Sequence, residues 1–459
     1  MNNFKEIFDA QKKYFLTDAT KTYEWRIEQL VRLEKMISEN EEEFYKALGN
    51  DFKTCYFEQA FETIGLLGTI AHTKAVLKDW MKPEKCELKS ELEALGHTAF
   101  IYREPYGVTL IIGPFNNPLL LLLEPAIAAL AAGNTCMLKP AASTTNTAAL
   151  FQLLTPKYFE PEVMAVVTGD KAAVAELLKL PFDFIFFTGS PKVGKIVMLA
   201  AAQNLTPVIL ELGGQNATIV DETANLPDAA KKIAWGFTAL AGQWCVRPGY
   251  VYVHQSVADA FVEECKKALI KMYGTDAQKS NDFSRIVTEK DVDRIMKMVD
   301  TEKVVYGGHF DKAERYIEPT LIFPSDWTDK IMEGEIFGPV LPILIYRDIK
   351  QIVKIIKSKP KGLAAYIFSR NQAMIEYVLN SISFGGGCIN QTNIQSWMET
   401  MPFGGVGTSG IGRYYGRYGF ESLSNPRNII FCKPDVNLDV IHPPYTAESL
   451  RLVKGMFAK

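Results

Sequence analysis

At 459 residues the chain is too long for one ordinary hydrophobic core, so two or three domains are expected. It is 47% hydrophobic and 22% charged, with a formal charge of −3, a globular composition that gives no reason to expect nucleic acid or an anionic membrane as partner. Seven cysteines with no CxxC pair suit a reducing compartment, and five scattered histidines make neither an HExxH motif nor a paired ligand set, so no metal is expected.

The opening Met1–Glu6 lacks a basic stretch followed by an apolar one, so a cytoplasmic location is expected. The first 80 residues read as helices. From Tyr23 to Leu48, Ile27, Leu30, Leu33, Met36 and Ile37 keep helical spacing, with charges between them. The run Glu41-Glu42-Glu43 falls in this pattern as a solvated face. From Tyr106 short apolar strands alternate with helices: Val108–Ile112, helix 119–132, Thr135–Leu138, helix 145–154, Val163–Val167, helix 171–179, Phe182–Phe187, helix 192–203 and Pro207–Leu210. The helix 119–132 is the greasiest segment, but Glu124-Pro125 breaks it and it is too short to span a bilayer; a buried helix is expected. A second alternating set runs from Ala217 to Asn390 and includes Tyr250–Val253, Leu341–Ile345 and Ala364–Phe368. Such alternation predicts parallel sheets covered on both faces, with ligands at the strands' carboxyl ends. Glu87–Arg103 and the tail after Asn425 fit neither set and are expected to supply strands that pair across subunits.

Four stretches carry candidate chemistry. In Phe182–Lys195 a buried strand runs through Thr188-Gly189-Ser190 into a helix, whose free N–H groups suit a phosphate. The same stretch nearly spells a P-loop, but Ile196 lacks the hydroxyl that would hold magnesium. Cys245, in Ala241–Tyr250, sits between glycines and proline on a loop, and Arg247 two residues on favours a thiolate if the side chains approach. Glu211 ends an apolar strand just before Gly213-Gly214, where burial would raise its pKa toward that of a general base. Asn116, in Gly113–Pro118, offers an amide for an oxyanion. Taken singly, each also reads as an ordinary turn, a buried thiol or a strand-end acid. Together they are the set that acyl transfer through a thiol needs: nucleophile, base, oxyanion donor and a neighbouring cofactor.

With these residues in place, the chain resembles the aldehyde dehydrogenase superfamily along almost its whole length, and looks closest to the class 3 branch. The matching segments, in the family's order, are PFNNP at 114–118, LKP at 138–140, FFTGSPKVGK at 186–195, LELGG at 210–214, GQWC at 242–245, EIFGP at 335–339 and PFGGVGTSGIG at 402–412. The resemblance implies an α/β fold with a Rossmann-type dinucleotide-binding domain (1–82 and 104–212), a second α/β catalytic domain (213–400) and small β bridging segments (83–103 and 425–459). It also implies oxidation of an aldehyde to the acid with NAD or NADP. Cys245 is then the nucleophile, Glu211 the general base and Asn116 the oxyanion amide. Lys139 would hold the adenosine ribose, Thr188, Gly189, Ser190 and Gly194 the pyrophosphate, and Glu335 and Phe337 the nicotinamide ribose, while Asn390 matches a structural asparagine of the site.

The chain also departs from the family. Ala142 stands where an acid usually follows the lysine, which removes repulsion against a 2′-phosphate, so NADP is expected to be accepted. Gln215 replaces the usual lysine after the glycine pair, and Asn117 the usual tyrosine. Asn117, Trp235, Trp244, Tyr414 and Tyr415 are expected to line a pocket for an aromatic or medium-chain aldehyde. The short start resembles the dimeric class, so a homodimer is expected. The rivals are a CoA-acylating relative, which would not need Glu211, and a non-catalytic protein on the same fold.

Overall fold

The computed structural model describes residues 4–457; Met1–Asn3 of the expected leaderless start, and the last two residues, lie outside it. Four long helices open the chain: Phe4–Phe15, Tyr23–Ser38, Glu41–Asp51 and Tyr56–Trp80. The helical run read as Tyr23–Leu48 is broken at Glu39–Asn40, and the acidic triplet forms the first turn of the next helix, where carboxylates suit the dipole.

Two large sheets follow, and the site lies where the chain passes from one to the other. The first sheet has the order Gly410–Ile411, Val208–Leu212, Phe184–Gly189, Val108–Ile112, Thr135–Lys139 and Met164–Val166. All neighbours are parallel except Gly410–Ile411, which runs antiparallel to Val208–Leu212 at the edge. The second is ordered Val304–Tyr306, Thr320–Ile322, Val340–Tyr346, Tyr250–His254, Ala217–Val220, Ala364–Phe368 and Gly386–Ile389, with only Val304–Tyr306 antiparallel. The strands Val108–Ile112, Thr135–Lys139 and Ala364–Phe368 are buried at every position, which is why they read as unbroken apolar runs. The helix Leu120–Ala132 packs between the opening helices and the first sheet, buried almost throughout, and ends at Gly133 in the left-handed conformation.

The remaining segments make a third sheet. Strand Thr98–Pro105 pairs antiparallel with Ser424–Phe431 from Ser424↔Pro105 to Phe431↔Thr98, and with Glu84–Cys86 on its other side. The two segments expected to supply intersubunit strands pair with each other inside one chain, and Ser424–Phe431 keeps its other edge unpaired among the described residues. Their complementary alternation, Phe100 against Phe431 at 5.9 Å, satisfies them locally.

Candidate active site

Cys245 lies on an irregular loop between helix Leu226–Thr238 and strand Tyr250–His254, as its glycine and proline neighbours dictate. The turn before it is strained: Leu240 and Ala241 both hold positive φ. The loop faces a cavity of about 1010 Å³ whose wall includes Cys245, Glu211, Asn116, Thr188, Gly189, Ser190, Glu335 and Phe337. Three polar groups on this wall are buried without a hydrogen-bond partner among the described residues: Asn116 Nδ2, both oxygens of Glu211 and Glu335 Oε1. Thr188 Oγ1 is a fourth. Unpaired buried polar atoms are costly, so their concentration on one wall marks a surface built for a ligand.

Burial also sets the titration of the site. Desolvation lifts the Cys245 thiol well above its ordinary range, and the charges of Glu335 and Glu211 add to that lift. Glu211 is likewise raised well above the carboxylate range by desolvation, opposed by the charge of Arg413. Glu335 is pushed up to about 7 by burial, against a hydrogen bond from the Gly214 backbone and the charges of Arg247 and Arg294. Burial thus lifts thiol and carboxylates alike toward their neutral, protonated forms.

Arg247 does not serve the thiol in the way its sequence position suggests. Its side chain turns into the core, donates to the carbonyl of Val340 at 2.6 Å, and directs its charge at Glu335. Adjacency along an irregular loop says little about side-chain direction. Gln215 acquires a role that the sequence left unread. Its amide donates to the carbonyls of Met332 and Gly334 at 2.9 and 3.0 Å, tying down the loop that carries Glu335. Gly213 leaves room for that carboxylate: an added Cβ would lie 2.0 Å from it, and the Glu335 side chain would have to swing away.

Asn116 and Asn117 are held from beneath by two residues the sequence reading missed. Lys53 and Glu62 form an ion pair with no exposed surface on either side chain. The Lys53 ammonium also donates to Asn117 Oδ1 at 2.7 Å, and Glu62 Oε2 accepts the backbone N–H groups of Leu119 and Leu120. A remote carboxylate therefore caps helix Leu120–Ala132 directly behind the asparagine pair.

Part of the cavity wall is built by Thr188, Gly189, Ser190 and Pro191 at the start of helix Pro191–Ala202, whose first turn Ser190 caps through the Val193 N–H. A strand-end turn, a free helix N-terminus and the unpartnered Thr188 hydroxyl fit a dinucleotide diphosphate. Two expected contributors are absent from this wall. Lys139 is buried and folds its ammonium onto the carbonyl of Pro140. Gly194 instead allows close packing, since a Cβ there would meet Leu212 at 2.7 Å. Asn390 also lies outside the cavity, exchanging two side-chain hydrogen bonds with the Ser369 backbone.

Asn117, Trp235, Trp244, Tyr414 and Tyr415 also line the cavity. Sequence reasoning missed Phe57, Phe61 and Trp397, which complete a run of rings. From Trp244, beside Cys245, successive centroids lie 5.9 Å to Trp235, 5.9 Å to Trp397, 5.2 Å to Phe61 and 6.3 Å to Phe57, which is 72% exposed.

The comparisons agree with this geometry. The model of the aldehyde dehydrogenase family matches residues 2–429. The chain is 40% identical over the full length of both chains to the 4,4'-diaponeurosporen-aldehyde dehydrogenase of Staphylococcus aureus. It is 38% identical, across 94% of this chain and 95% of the relative, to the dimeric NADP-preferring aldehyde dehydrogenase of Mus musculus. Among solved structures it matches a substrate-bound AldH of Staphylococcus aureus with a TM-score of 0.97 at 39% identity, each chain fully covered. An NADP complex of glyceraldehyde-3-phosphate dehydrogenase from Methanocaldococcus jannaschii matches with a TM-score of 0.82 at 27% identity over 94% and 95% of the two chains. Fold, cavity and full-length likeness together place the chain in the aldehyde dehydrogenase family, the α/β enzymes that oxidise aldehydes with a nicotinamide cofactor.

Proposed function

We propose that Cys245 is the nucleophile that captures the aldehyde, with Glu211 as general base and the Asn116 amide, joined by the Cys245 backbone N–H, as the oxyanion site. The observation that carries this reading is the grouping of a half-buried thiol, an unpartnered carboxylate and an unpartnered amide on one cavity wall. Cys245 gives up its proton to Glu335, whose charge faces it, and its sulfur adds to the carbonyl carbon, leaving Glu211 ionised for the later step. Asn116 Nδ2 then finds the acceptor it lacks, the new oxyanion, an interaction whose loss typically costs roughly 10²–10³ in rate. A bound NAD or NADP, held by Thr188–Ser190, Glu335 and Phe337, supplies the hydride acceptor that leaves a thioester on Cys245. Glu211 takes a proton from water, the water attacks the thioester, and the acid leaves. Replacement of Cys245 by Ser should abolish cofactor reduction at every pH while leaving cofactor binding intact; retained turnover would defeat the assignment. Turnover without added CoA separates this route from acyl transfer to CoA.

The substrate we infer is an apolar aldehyde, aromatic or at least medium in length. The run of rings from Trp244 to Phe57 supports it, because it offers a tail an aromatic wall from the nucleophile to the surface. NADP acceptance is inferred from Ala142, which leaves no carboxylate beside a 2′-phosphate on the rim next to the cavity-lining Ala141. A homodimer is inferred from the exposed strand Ser424–Phe431, with Ile429, Ile430 and Phe431 outward, and from the exposed apolar side chains Leu450, Leu452 and Phe457 of helix Ala447–Phe457. Light scattering on the purified enzyme tests it. All seven cysteines are free, in keeping with the cytoplasm.

A further inference from the structure

The loop that carries Cys245 has no regular secondary structure, yet its carbonyls are held one after another. The Trp244 carbonyl accepts the Arg247 N–H at 3.1 Å. The Cys245 and Arg247 carbonyls both accept from Asn216 Nδ2, at 2.7 and 2.8 Å. The Val246 carbonyl accepts from the Tyr366 hydroxyl at 2.5 Å. Neither holder is free to turn. Asn216 Oδ1 accepts the Ala364 N–H at 2.8 Å, which fixes which end of the amide faces the loop, and Gln395 Nε2 donates to the Tyr366 oxygen at 2.9 Å. Asn216 is 1% exposed and Tyr366 fully buried.

A trans peptide points its N–H opposite its carbonyl. With the carbonyls of Trp244 and Cys245 held on the far side, the N–H groups of Cys245 and Val246 are left facing the sulfur, and both oppose the desolvation of the thiolate. We propose that Asn216 and Tyr366 are positioning residues of the nucleophile, which hold the carbonyls of residues 245–247 so that two backbone N–H groups stay on the sulfur. The proposal rests on the reading of Cys245 as nucleophile. The other groups that face the sulfur act against the thiolate or are neutral: Glu335 and Glu211 from the two neighbouring strand-end loops, and the buried phenols of Tyr366, Tyr414 and Tyr415. The backbone pair is thus a favourable contribution that these surroundings do not replace.

The test is the pH dependence of iodoacetamide alkylation at Cys245, read on the peptide that contains it, in the parent, Tyr366→Phe and Asn216→Ala. Losing the hold on the carbonyls frees the N–H groups to turn from the sulfur, so the alkylation rate at each pH below the thiol's pKa should fall about three- to tenfold, and kcat should fall about fivefold or more, with the KM for NADP unchanged. Tyr366→Phe removes one hydroxyl only, and it decides alone where Asn216→Ala does not fold. An alkylation profile superimposable on the parent in a folded variant would overturn the proposal, even if kcat fell, because a merely structural role predicts that result. Alkylation of Cys245 in the parent must also inactivate it; failure there would overturn the assignment of the nucleophile instead.

Discussion

The Lys53 ammonium donates to Asn117 Oδ1 at 2.7 Å, joining residues 64 positions apart at the wall of the cavity. Because Glu62 pairs with the same ammonium and caps the helix behind Asn117, one buried ion pair fixes both the cap and the asparagine turn. Removing one partner strands a charge in the core, which typically costs about 3–5 kcal/mol. Lys53→Met should therefore lower the denaturation midpoint markedly, and Lys53→Met/Glu62→Gln should recover much of the loss, since the amide oxygen can still accept from Leu119 and Leu120. Thermal melts of the four proteins in this cycle check it. A double variant no more stable than Lys53→Met would show that the stranded charge is not the cause.

Glu211 carries both of its oxygens unpartnered and sits well above the ordinary carboxylate range through desolvation. Water activation requires its ionised form, so thioester hydrolysis should speed up as pH rises through this elevated pKa. In Glu211→Gln, mixing should still give a burst of reduced cofactor, because sulfur addition and hydride loss precede the water step. Steady turnover should then fall by roughly 10²–10⁴. Rapid-mixing absorbance separates the two phases. Loss of the burst itself would move Glu211 to an earlier step.

Glu124 lies fully buried within helix Leu120–Ala132, and desolvation lifts it to about 8, opposed by a hydrogen bond from Thr69. The folded state therefore binds a proton that the unfolded chain releases near its ordinary 4.5. Stability from this group is complete below that lower value and is lost as pH rises toward 8, at up to about 1.4 kcal/mol per pH unit. Glu124→Gln should flatten the decline and leave the variant more stable than the parent at pH 8 and above. Melting curves across this window test the sign.

The same physics explains what the sequence could and could not disclose. Cys245, Glu211 and Asn116 stand at ends of apolar strands or in glycine and proline turns, so local pattern located them, and the cavity brings them together. Lys53, Glu62, Asn216 and Tyr366 carry no such mark. Their roles arise from contacts across the chain, such as Tyr366 to Val246 over 120 residues, and a buried tyrosine in an apolar strand reads as core. Arg247 shows the converse, because nearness in sequence to Cys245 leaves a contact open, and the loop's path turns the side chain toward Val340 and Glu335 instead. The alternating strands were legible because both sheet faces are covered. The partners of Thr98–Pro105 and Ser424–Phe431 were not, since pairing over such a distance leaves no periodic trace.

The rim residue Ala142 tests cofactor choice. A carboxylate introduced by Ala142→Glu, next to the cavity-lining Ala141, would face a 2′-phosphate with like charge and a free 2′-hydroxyl with an acceptor. The ratio of kcat/KM for NADP over NAD should fall by about tenfold or more, a shift of about 1.4 kcal/mol. Steady-state rates with each cofactor measure it, and an unchanged ratio would remove Ala142 from the cofactor argument.

The run of rings makes the sharpest claim about substrate. Trp235 is its second member, edge-on to both Trp244 and Trp397 at 5.9 Å, so deleting it interrupts the wall without touching Cys245. A long apolar tail laid along that wall loses the surface of one indole, worth about 1–3 kcal/mol, or roughly 5-fold to 150-fold in kcat/KM. A two- or three-carbon aldehyde reaches only the nucleophile end and should change by no more than about twofold. Trp235→Ala assayed against an aldehyde series of rising length should therefore show a loss that grows with chain length and appears mainly in KM, because the tail contacts are equal in ground and transition states. A loss uniform across the series would mean that Trp235 shapes the Cys245 loop rather than the path of the tail.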